Sequence, residues 1–129
     1  MTVDQAKLRQ VMDEVTADKG PFTLFGLFLR EDAPDKWDLV VSAPWLEEGK
    51  LKALSEFVQR LSAKLGEQEL LDLSRVVTVN RDNPGLAAIL QAVHFEGGAP
   101  MEIKNSSFFG LSIKHAYIFR AAGPVVKTS

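Results

Sequence analysis

Phe22-Thr23-Leu24-Phe25-Gly26-Leu27-Phe28-Leu29-Arg30 is the stretch on which the reading of this chain turns. Side chains alternate across a strand, which sets Phe22, Leu24 and Phe28 on one side and Phe25, Leu27 and Leu29 on the other. Both sides are apolar, as in a central strand covered on both faces. A polar turn, Glu31-Asp32-Ala33-Pro34-Asp35-Lys36, comes next. Beyond it, from Trp37 to Ala43, Trp37, Leu39 and Val41 alternate with Asp38, Val40 and Ser42. Two strands with so short a connection pair most simply as an antiparallel hairpin.

Helical spacing brackets this hairpin. Upstream, Leu8, Val11, Met12 and Val15 recur at intervals of three and four, with Lys7, Arg9, Gln10, Asp13 and Glu14 elsewhere on the wheel. Thr2 and Gln5 make a capping-box pattern at its start, and Gly20-Pro21 stops it. Downstream, Pro44 ends the strand and opens a long amphipathic segment. Its expected buried stripe is Leu51, Leu54, Val58, Leu61 and Leu65, widened by Phe57, with Gly66 as C-cap.

The remaining elements are shorter. Val76, Val77 and Val79 predict a strand over 75–80. Asn83-Pro84 predicts a capped helix burying Leu86, Ile89, Leu90 and Val93. Gly97-Gly98 breaks the chain before two last strands, Met101 to Lys104 and Ser112 to Ala121, with Asn105-Ser106-Ser107 as the turn. The order α-β-β-α-β-α-β-β predicts an α+β fold, a mainly antiparallel sheet of about five strands with three helices packed on it. Residues 1–122 are expected to form one domain and 123–129 a loose tail.

Composition excludes several classes. The 129 residues include no cysteine, which removes disulfides, thiolate zinc and iron–sulfur sites, and a cysteine nucleophile. Fifteen basic and 17 acidic residues are scattered along the chain, without the clustered cations that nucleic acid requires. The charged start, Met1 to Gln10, does not read as a signal peptide, and no run approaches a membrane span, so the expected compartment is the cytoplasm.

The candidate chemistry is sparse. His115 and Tyr117 share one side of the last strand, and Arg81 and Asn83 lie at a strand-to-helix junction where free amides and a guanidinium suit an anion. These four are the expected ligand-binding residues. His94 and His115 are the only imidazoles for a metal or haem iron, although His94 at a helix C-terminus is also favoured electrostatically without one. Glu102-Ile103-Lys104 has the Glu-x-Lys pattern of metal-dependent nucleases, with Asp35 or Asp38 as the upstream acid. Asp38, Glu102 and His94 are therefore the alternative metal set. Trp45 is either a partner anchor or a packing residue. No P-loop, dinucleotide fingerprint or nucleophile elbow occurs.

The sequence thus leads to a non-enzymatic, sensor-like or accessory domain that binds a small molecule or a protein partner and requires no cofactor. The alternative is a small metal-dependent enzyme acting on a phosphate-containing substrate. Apolar strands and a long second helix make a homodimer a further expectation.

Overall fold

In the computed structural model, which describes residues 4–33, 35–94 and 100–122, the chain runs α1 (Gln5–Lys19), β1 (Leu24–Arg30), β2 (Trp37–Ser42), α2 (Pro44–Lys64), α3 (Glu67–Asp72), β3 (Leu73–Thr78), α4 (Pro84–Ala92), β4 (Met101–Phe108) and β5 (Leu111–Ala121). The strands form one sheet in the order β3-β2-β1-β5-β4. The doubly apolar β1 takes the middle. Its neighbours β2 and β5 are antiparallel to it, as is β4 to β5. Only β2 and β3 run parallel, because α2 and α3 carry the chain back before β3 begins.

Each face of the sheet has its own core. On the front, Leu8, Val11, Met12 and Val15 of α1 and Phe57 and Leu61 of α2 pack on Phe25, Leu27, Leu39, Val41 and Phe119. On the back, Leu86 and Ile89 of α4 pack on Leu24, Phe28, Val40, Ile113, Ala116 and Ile118. Phe22 joins the front core rather than the side of Leu24, because it precedes the strand and turns toward Phe25 and Phe57. Trp45 packs there too, against Phe22, and donates its indole N–H to Gly20 O at 3.1 Å.

Several boundaries differ from the expected ones, each for a local reason. The N-cap of α1 is Asp4, whose carboxylate accepts from the Ala6 and Lys7 amides; Thr2 lies outside the described residues. Gly20 does end α1, at φ 118°, a region L side chains rarely adopt. The buried stripe of α2 runs through Leu46, Phe57 and Leu61, while Leu51 is 81% exposed and Val58 is also exposed. Lys50, at φ 51° and ψ −132°, breaks the helix, and the turns beyond it face the core with Phe57 and Leu61 rather than with Leu51 and Val58. Gly66, expected as the C-cap of α2, is instead the N-cap of α3, a fourth helix over residues for which the sequence pattern predicts no element. Strand β3 starts two residues earlier than expected, at Leu73.

The last hairpin is longer than expected. Asn105, Ser106 and Ser107 belong to β4, and the turn is Phe109-Gly110. Both turn residues have positive φ, 56° and 73°, which matches the twist of the flanking strands. The conformation of Phe109 costs energy, offset where its ring packs edge-on against Phe28 at 6.1 Å. Gly97-Gly98 and the expected tail 123–129 lie outside the described residues.

Candidate functional site

The front and back of the sheet each gather polar side chains, and the two groups are separate. On the front, pairing sets His115 of β5 between Leu29 of β1 and Lys104 of β4, and Tyr117 between Leu27 and Glu102. The imidazole stacks on the phenol with ring centroids 4.9 Å apart. Trp37 of β2 reaches over β1 to both rings, at 6.3 and 5.6 Å. Glu102 accepts from the Tyr117 hydroxyl at 3.0 Å and bonds Nε2 of His115.

The electrostatics of this cluster stem from those bonds. Hydrogen bonds from His115 and then Tyr117 hold the Glu102 carboxyl below its ordinary value. Burial, reinforced by the neighbouring carboxylate, pushes the Tyr117 phenol up. Nε2 of His115 and the Tyr117 hydroxyl thus both bond the one Glu102 carboxylate.

On the back, an apolar cavity of about 160 Å³ lies between the sheet, the start of α4 and the β4–β5 turn. Phe28, Val40, Val77 and Ile113 form its floor, and Phe109 and Leu111 close one side. Its polar end is built by strand register. Asp38, on the back of β2, lies opposite Arg75 of the parallel strand β3, while Arg30 stands two residues beyond Phe28, the β1 partner of Asp38. The Asp38 carboxylate, only 5% exposed, sits 3.1 Å from Nε of Arg75 and 3.4 Å from Nε of Arg30. Arg30 also reaches the exposed Asp32, at 3.5 Å. A buried charge needs such partners, and here one buried carboxylate is shared by two guanidiniums.

The expected binding residues thus divide. His115 and Tyr117 do meet, on the front. Asn83 caps α4 by accepting from the Gly85 amide at 2.7 Å, and it lines the back cavity. Arg81 is exposed and pairs with Glu47 at the start of α2, at 3.5 Å.

The alternative metal set is not assembled. Asp38 projects from the back and Glu102 from the front, while His94 is exposed just past α4. The described residues contain no group of three or more His, Asp or Glu that could hold a metal ion. Nor is any helix among them long and apolar enough to cross a membrane. Asp35 is exposed in the β1–β2 turn, and Lys104 is exposed on edge strand β4.

Sequence pattern alone does not single out Arg30 and Arg75. The available signal is Asp38 itself, a lone acid inside the apolar run from Trp37 to Val41, which demands cations on adjoining strands. No protein-family model, curated protein or solved structure matches the chain.

Proposed function

We propose that the chain is a non-enzymatic binding domain whose ligand is a small carboxylate with an apolar body, held in the back-face cavity. The observation that carries this reading is the pair of guanidiniums, Arg30 and Arg75, converging on one buried carboxylate at the end of an apolar cavity. Apolar walls with a few convergent polar groups are the usual form of a small-molecule site. Arg75 is half exposed and offers its remaining N–H groups to a second carboxylate in the forked geometry guanidinium favours. The 160 Å³ volume restricts the ligand to the size of benzoate or isovalerate.

Titration of the ¹⁵N-labelled protein with benzoate and isovalerate tests this. Ligands this small reach dissociation constants of about 0.1–1 mM. Saturable shifts are expected at Val40, Val77 and Phe109. Arg75→Ala should weaken them about tenfold, the worth of a charge-assisted hydrogen bond, and Val77→Phe, which fills the cavity, should abolish them. Binding that survives Val77→Phe unchanged, or an absence of shifts with every carboxylate, overturns the reading.

A further inference from the structure

A second, larger cleft of about 340 Å³ opens outside the carboxyl ends of β2 and β3, between them and the first half of α2. Three observations meet there. First, Ser42 lines the cleft, is 1% exposed, and its hydroxyl has no hydrogen-bond partner. Buried hydroxyls are nearly always bonded, so an unbonded one on a residue that lines a cleft marks a place for a ligand atom. Second, Lys50, also lining the cleft, breaks α2 in a backbone conformation disfavoured for any residue with a side chain. Its ammonium has no carboxylate partner among the described residues, whereas Glu47 at the rim is taken by Arg81. Third, Leu51, next to the break, is 81% exposed and lines the cleft with Leu46 and Leu54.

We propose that this cleft binds an oxyanion carrying an apolar chain. Lys50 and Ser42 take the oxyanion, assisted by the Asn80 amide, and Leu46, Leu51 and Leu54 cover the chain. Alkyl carboxylates and alkyl phosphates share this chemistry. The site is distinct from the back-face cavity, from which the Thr78–Val79 segment divides it by lining both.

The test uses the Val77→Phe protein, so that the back cavity is filled, and tracks ¹⁵N shifts on addition of hexanoate, hexyl phosphate, inorganic phosphate and hexanol. Hexanoate or hexyl phosphate should give saturable shifts at Ser42, Lys50, Leu51 and Asn80, and the tighter of the two identifies the head group. Lys50→Gln should weaken binding about tenfold and Ser42→Ala about fivefold, the ratios expected of a charge-assisted and a neutral hydrogen bond. Dispersed spectra of both variants establish that they remain folded. Hexanol or inorganic phosphate binding as tightly as the alkyl anions overturns the proposal. Unchanged affinity in both variants, or no shifts at these residues, overturns it equally.

Discussion

Glu69 accepts the backbone N–H of Asp4 at 2.7 Å, so the first turn of α1 is tied to α3 across 65 residues. The same carboxylate takes the Gly66 amide at 3.0 Å and the Lys7 ammonium at 2.8 Å. The Gly66 amide and then Lys7 hold its pKa down to about 2, against an ordinary 4.5. A folded-state pKa below the unfolded one gives stability that is present above about 4.5 and lost as pH falls toward 2. Glu69→Gln should therefore cost about 1–3 kcal/mol at neutral pH, as charge-assisted bonds do. Urea unfolding at stepped pH should show the gap to the wild type closing between those two values. A gap independent of pH would show that the charge is not what joins α1 to α3.

Asp38 and its two arginines make an unequal set. Arg75 is half exposed, and its removal leaves Arg30 on the carboxylate, so Arg75→Ala should change stability by less than about 1 kcal/mol. Asp38→Ala leaves two guanidiniums facing each other beside an apolar floor, and a cost of about 2–3 kcal/mol is expected. Chemical denaturation of the two single variants and the double variant separates these cases. Equal costs for the two single variants would mean that Arg75 alone balances Asp38.

The strands are legible in the sequence because their apolar periods are strong and short. Phe25, Leu27 and Leu29 against Leu24 and Phe28 locate β1 in the middle of the sheet without any tertiary information. The helical face of α2 is not legible. Leu51, Leu54 and Val58 keep helical spacing in the sequence, but so do Leu46, Ala53, Phe57 and Leu61, and it is the second row that meets the core. The sites divide in the same way. Proximity of His115 and Tyr117 needs only the alternation within one strand, whereas the meeting of Asp38 with Arg75 needs the parallel pairing of β2 with β3. That pairing depends on how α2 and α3 return the chain, which strand periodicity does not encode.

In the front-face cluster the Glu102 carboxyl is held down by its donors and the Tyr117 phenol is pushed up. Replacing Tyr117 by Phe or His115 by Gln removes one hydrogen bond to Glu102 and should move its carboxyl up toward 4.5, the larger change coming from His115. ¹³C titration of the Glu102 carboxyl measures this. Conversely, Glu102→Gln should lower the Tyr117 phenol toward 10 without reaching it, since burial is the first cause of its elevation. A carboxyl that titrates identically in all three proteins would mean that the bonds do not persist in solution.

Two apolar residues of α2, both beyond the break at Lys50, have opposite roles. Phe57 is 1% exposed and its ring meets those of Phe22, Phe25 and Trp45 at 5.6, 6.2 and 6.5 Å. Phe57→Ala should cost about 3–5 kcal/mol, since truncating a core aromatic loses burial and leaves a cavity. Leu51, earlier in the same helix and of similar hydrophobicity, is 81% exposed, so Leu51→Lys should stay within about 0.5 kcal/mol of the wild type. A helix turned to bury Leu51 with Leu54 and Val58 would instead make the lysine cost as much as a core polar substitution. Unfolding midpoints of the two variants, measured side by side, decide which face of α2 is buried.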